Sequence, residues 1–174
     1  MVWLGDIAAA AVIALLVFAA STDVAYRTIP NWIPAGIAVA GIAVRLIAGP
    51  SAFLISLAIA LAAFAVMALL HARGMFGGGD VKLIAALCLG FAPAASGRFI
   101  FATAMAGGVL AAFHLFGRWA VRNRKPRRPP PRGSSFLRRI ASVEIWRLAR
   151  HGSLPYGVAI ACGGIWTILI GSAK

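Results

Sequence analysis

Residues 52–71 read AFLISLAIALAAFAVMALLH, a run without a Lys, Arg, Asp or Glu. A membrane span needs about 20 mainly apolar residues. A run of that length with no polar face to turn toward water belongs in lipid. The same ruler finds further apolar runs at roughly 3–22, 31–49, 81–96, 98–117 and 154–172. Six transmembrane helices are therefore expected. The fourth is the weakest, because the run from Val81 is short and Pro93 interrupts it.

Composition agrees. Of 174 residues, 61% are hydrophobic and 12% charged, with a mean hydropathy of +0.91. Soluble domains carry roughly 25% charged residues, so a purely cytosolic enzyme is excluded. The expected organisation is one all-α polytopic unit: helices one to five in 1–117, a basic Pro-rich loop at 118–153 and a last helix in 154–174. No basic residue precedes the first apolar run, which is read as a retained helix and not a leader. Cys88 and Cys162 sit singly in apolar stretches, so neither a zinc knuckle nor a disulfide framework is expected and both read as small core residues.

Lys and Arg number 17 against 4 Asp and Glu, a formal net charge of +13. That excess suggests nucleic acid, but eleven of the 17 lie between Arg118 and Arg150, in one tract between apolar runs. Such a tract is expected in a cytoplasmic loop facing anionic lipid, not in a nucleic-acid partner. Basic loops stay in the cytoplasm. With six spans, both termini are then external, and Arg27, Arg73 and Lys82 join the tract on the cytoplasmic side, leaving Arg45, Arg98 and Lys174 elsewhere. Pro126, Pro129, Pro130 and Pro131 make the first half of the tract an extended tether. Ser135 to Arg150 has the content of an interfacial helix, although its arginines are not segregated onto one face.

Two of the four carboxylates stand where chemistry is expected. Asp6 near the first span's outer end and Glu144 among arginines read as interfacial or ion-paired groups. Asp23 and Asp80 each abut an apolar span at its cytoplasmic edge, where an ionisable group is costly enough to be a functional candidate. Taken alone, Asp23 reads equally as a helix-end carboxylate paired with Arg27. Taken alone, Gly77, Gly78, Gly79 and Asp80 read as a flexible turn with a helix cap, the glycines opening backbone conformations closed to other residues and permitting close approach. Pro30 and Asn31 look like a helix start.

The six-span topology brings both aspartates to one bilayer level. Two converging carboxylates in a low dielectric cannot both ionise easily, so one pKa rises and the pair shares a proton. The ionised member can deprotonate water while the protonated one polarises a peptide carbonyl, as in aspartic proteases.

The segments Asp23…Arg27-Thr28-Ile29-Pro30-Asn31 and Gly77-Gly78-Gly79-Asp80-Val81-Lys82-Leu83 resemble the two aspartate motifs of the type IV prepilin peptidases, the second being the G-x-G-D signature of GxGD aspartyl proteases. Leu154-Pro155-Tyr156-Gly157-Val158-Ala159-Ile160 is similar to that family's late Pro-Tyr-Gly element. The resemblance implies a bacterial inner-membrane aspartyl endopeptidase with Asp23 and Asp80 as its catalytic pair. Arg27, Pro30, Asn31, Gly77, Gly78, Gly79, Lys82, Pro155, Tyr156 and Gly157 are its supporting residues. It implies a prepilin substrate that loses a short basic leader at the cytoplasmic membrane face, with no cofactor or metal. The short chain is most similar to the peptidases of tight-adherence (Flp) pilus systems. It has neither the paired C-x-x-C region of longer relatives nor a cofactor-binding glycine fingerprint, so no N-methyltransferase activity is expected.

Arg27 and Lys82 flank the aspartates and are expected to tune them, to hold substrate carbonyls or only to mark topology. His71, His114 and His151 read as interfacial polar groups, not metal ligands. Trp3, Trp32, Trp119 and Trp166 fit an aromatic belt, and Gly107 with Gly108 a close helix contact. Two competing classes remain: a small cation- or proton-coupled transporter using the two carboxylates, and a non-catalytic membrane scaffold.

Overall fold

A computed structural model describes residues 2–121 and 154–172, all of whose regular structure is helical. The helices are α1 (Val2–Tyr26), α2 (Trp32–Ile47), α3 (Pro50–Ala72), α4 (Gly78–Gly90), α5 (Pro93–Val121) and α6 (Tyr156–Ser172). Three contain stretches long and apolar enough to cross a membrane: Asp6–Tyr26, Pro50–Ala72 and Pro93–Gly117. Trp32–Ile47 and Tyr156–Gly171 are shorter apolar helices. The protein is a polytopic, membrane-embedded helical one.

The expected fourth span at 81–96 is corrected. At 13 residues α4 is shorter than a full span. It stops at Gly90, Phe91 is extended, and Pro93 opens α5. Proline is suited to the first turn of a helix, where no N–H is needed; here it begins the fifth helix instead of breaking the fourth. Pro50 does the same for α3, after Gly49 with φ at 120°. At the other end of α3, Gly74 takes φ of 75°, its N–H reaches the His71 carbonyl, and the Met75 N–H reaches that of Leu70. That paired closure is the Schellman ending, which favours glycine at the left-handed position.

The short helix is also the most enclosed. Val81, Leu83, Ile84, Ala86, Leu87, Cys88 and Leu89 are buried, and α4 packs against α2, α3 and α6 while α1 packs against α2 and α6. Gly41 and Gly90 bring α2 and α4 so near that a Cβ on Gly41 would stand 2.8 Å from the Gly90 Cα. Small residues at such crossings are how apolar helices associate when lipid is as apolar as their side chains. The Ser56 hydroxyl, fully buried, donates to the Phe91 carbonyl at 2.9 Å and holds α3 to the turn after α4.

Two compact units are distinguished, Met1–Gly107 with Pro155–Lys174, and Gly108–Leu154; all of the core and site described below belongs to the first. Cys88 is buried but Cys162 is exposed, so only the first is a core residue. Most of the 118–153 tract, with Glu144, His151 and the expected interfacial helix, lies outside the described residues.

Candidate active site

Asp23 lies in the last turn of α1. The helix ends because Arg27 adopts a left-handed backbone, φ 57°, with its N–H on the Asp23 carbonyl at 2.9 Å. The chain then turns through Ile29 and Pro30 into α2. The Asp23 side chain is buried, 7% exposed, and its Oδ2 accepts the Gly157 N–H at 2.8 Å. Gly157 is in the first turn of α6, where N–H groups have no helical partner and the helix dipole favours negative charge. The late Pro-Tyr-Gly element is thus an amide donor aimed at Asp23. Glycine is required there: a Cβ on residue 157 would lie 2.9 Å from Asp23 Oδ2.

Asp80 lies in the first turn of α4 and is 9% exposed. Its Oδ2 accepts the Gly77 N–H at 3.2 Å, closing half of a capping box around a glycine N-cap. The triple glycine is not there for unusual backbone angles, since Gly49 and Gly74 are the glycines with positive φ among the described residues. Its purpose is proximity. A Cβ on Gly79 would stand 3.0 Å from Ile29, and one on Gly77 3.0 Å from the Asp80 carboxylate, whereas Gly78 meets only an ordinary 3.6 Å contact with His71. Gly79 therefore lets the start of α4 close onto the segment that follows Asp23.

The two carboxylates lie within electrostatic reach of one another. Asp80, which precedes the apolar run and stands outside the spanning segments, has its pKa raised from 3.8 to about 6. Burial is the larger cause and the charge of Asp23 the next, while the Gly77 hydrogen bond pulls the other way. A group poised there exchanges its proton close to neutral pH.

Lys82 and Asn31 come together although distant in sequence: Lys82 Nζ donates to Asn31 Oδ1 at 2.9 Å. Asn31 is the N-cap residue of α2 but makes no side-chain cap bond. Its amide oxygen instead ties the start of α2 to the start of α4. This exposed cross-link engages the Lys82 ammonium. The Pro30 carbonyl accepts the Ile33 N–H in the first turn of α2.

Tyr156 precedes Gly157, whose N–H reaches Asp23, and the charge of Asp80 acts on its hydroxyl. Its ring meets Phe76 edge-on, centroids 4.7 Å apart. A Cβ on Gly107 would lie 2.8 Å from the ring, so Gly107 makes the expected close contact, whereas Gly108 has nothing within 4 Å. Phe76, Ile29 and His71 were not singled out as site residues from spacing. His71 Nδ1 is 2.7 Å from the Phe76 carbonyl and pins the turn before the glycines; no periodicity in the sequence marks that bond.

A sequence model of the type IV leader peptidase family matches residues 10–112, more than half of the chain and both aspartates. The Pro155-Tyr156-Gly157 element falls outside that match. No curated protein and no solved structure matches the chain.

Proposed function

The chain belongs to the type IV leader peptidase family, and on that premise we propose that it is a membrane aspartyl endopeptidase removing the basic leader from Flp-like type IV prepilins. Asp23 and Asp80 are its catalytic pair. The observation that carries the reading is that three separate segments, the end of α1 and the starts of α4 and α6, converge on two buried carboxylates.

In the reaction, one ionised and one protonated carboxyl hold a water between them. Asp80, with a pKa of about 6, carries the shared proton and donates it to the scissile carbonyl oxygen as the carboxylate of Asp23 takes a proton from the water. The water oxygen adds to the carbonyl carbon. Collapse of the tetrahedral intermediate breaks the C–N bond, the proton held by Asp23 passes to the leaving amine, and one hydroxyl proton of the gem-diol returns to Asp80, leaving the carboxylic acid product and the pair as it began. Gly157 orients Asp23 and Gly77 orients Asp80.

The helix end bearing the site also bears Arg27, Arg73 and Lys82, which supports a cytoplasmic position under the positive-inside bias. Contact of the 118–153 tract with anionic lipid follows from the same bias. The reaction needs no methyl donor, and peptidase without methyltransferase is the activity proposed. A transporter would hold its carboxylates near the midplane, whereas these stand at helix ends.

Co-expression with a tight-adherence prepilin tests the reading: the wild type shortens the pilin on a gel, and Asp23→Asn and Asp80→Asn each leave it full length while still inserting. Processing by either variant at the wild-type rate contradicts it.

A further inference from the structure

Among the described residues three apolar clefts stand out, and charge separates them. The first, beside Gly41 and Gly90, lies at the end of the bundle remote from Asp80. The second, of about 570 Å³, runs between α2 and α3 over α4, and Asn31 and Lys82 stand on its wall at the end where Asp80 lies. The third, of about 400 Å³, runs between α3 and α5 with Ile84 of α4 on its floor, and reaches Phe76 and Tyr156.

We infer that the cleft between α3 and α5 is the port through which the apolar helix of the substrate enters from lipid, with Phe76 and Tyr156 as the stop that sets the cut. The inference rests on the peptidase reading above. Three observations carry it. The cleft is continuous with the site, because Phe76 and Tyr156 form its end and their chain neighbours Gly77 and Gly157 donate their N–H groups to Asp80 and Asp23. Its sides are lipid-facing: Val66 of α3 is 59% exposed and Ile100 of α5 48%. From Ile59 to Val66 it follows α3 for about 10 Å, two turns of a helix laid alongside.

Charge then chooses between the two clefts that reach the site. A leader peptide that is itself basic is repelled by the Lys82 ammonium beside the α2–α3 cleft, whereas the α3–α5 cleft leads to the carboxylates past no such charge. No charged side chain lines the latter among the described residues. The substrate helix lies with its apolar length against Val66 and Ile100, its last turn against the Phe76–Tyr156 pair, and the leader beyond them at the carboxylates.

Disulfide trapping tests this in bicelles. Cys88 and Cys162 are first replaced by serine, and the Cys-free protein is checked for prepilin cleavage. On that background single cysteines at Val66 and Ile100, or at Ala38 and Leu61 in the other cleft, are oxidised with a prepilin carrying one cysteine in its apolar helix. The expected result is at least tenfold more cross-link from Val66→Cys and Ile100→Cys than from Ala38→Cys and Leu61→Cys. Equal yields, or the reverse order, overturn the port while leaving the peptidase reading intact; failure of the wild-type protein to cut the prepilin overturns both. As a second readout, Ala104→Trp, which fills the cleft, raises KM tenfold or more, and Ala38→Trp leaves it within twofold. A KM unchanged by Ala104→Trp in a folded protein also overturns the port.

Discussion

Replacing Asp80 by asparagine separates the cost of its charge from the rest of the site. The folded protein raises this pKa from 3.8 to about 6, and each pKa unit is about 1.4 kcal/mol. The ionised side chain therefore destabilises the fold by roughly 3 kcal/mol once the pH is well above 6. Between pH 4 and 6 the folded state holds a proton that the unfolded state has released, so stability falls as pH rises through that window and is level beyond it. Asparagine removes the charge and keeps the shape. It weakens the Gly77 hydrogen bond, at a cost of about 1 kcal/mol. Asp80→Asn is expected to be more stable than the wild type by roughly 2 kcal/mol at pH 8, which corresponds to a midpoint higher by roughly 5 °C, and to lose that advantage at pH 4. Thermal unfolding in one detergent at fixed concentration, from pH 4 to pH 8, measures the difference. A variant less stable than the wild type at pH 8, or a difference that does not change with pH, refutes the account of Asp80 as a buried carboxylate strained by Asp23.

Further outcomes follow from the same geometry. Prepilin cleavage is expected to weaken as pH rises through about 6, where Asp80 loses the proton it donates; a kcat/KM profile flat from pH 5 to 8 contradicts that. Gly157→Ala sets a Cβ 2.9 Å from Asp23 Oδ2 and is expected to lower kcat on the order of 100-fold, with helicity by circular dichroism unchanged. Gly41→Ala presses on the Gly90 backbone at 2.8 Å and is expected to cost about 1–3 kcal/mol in thermal unfolding. Gly108→Ala meets open space and is expected to gain a few tenths to about 1 kcal/mol from helix propensity.

The long helices were legible in the sequence because hydropathy reports lipid directly, and α1, α3 and α5 hold spans close to the expected runs. The same index concealed the end of α4. Leu87 to Phe91 reads as apolar whether it faces lipid or protein, and here it is enclosed by α2, α3 and α6, so a buried short helix mimicked half of a span. The choice of Asp23 and Asp80 rested on their setting beside apolar runs, and the fold brings the two within electrostatic reach. The reason for the glycines was not legible: a glycine run signals backbone freedom and close packing alike, and only Ile29 facing Gly79 separates the two. Gly157 with Asp23 and Lys82 with Asn31 are pairs formed across the bundle. No local pattern encodes them, because each partner is suited to its own helix end without the other.

The most direct measurement is the intact mass of a tight-adherence prepilin after incubation with the purified protein in bicelles, alongside Asp23→Asn and Asp80→Asn. The account predicts one cut that removes the leader, an unmethylated new amino terminus, and no product from either variant. A product formed by either asparagine variant at the wild-type rate, or an intact prepilin after incubation with active-folded wild type, contradicts the assignment of the two aspartates as the catalytic pair.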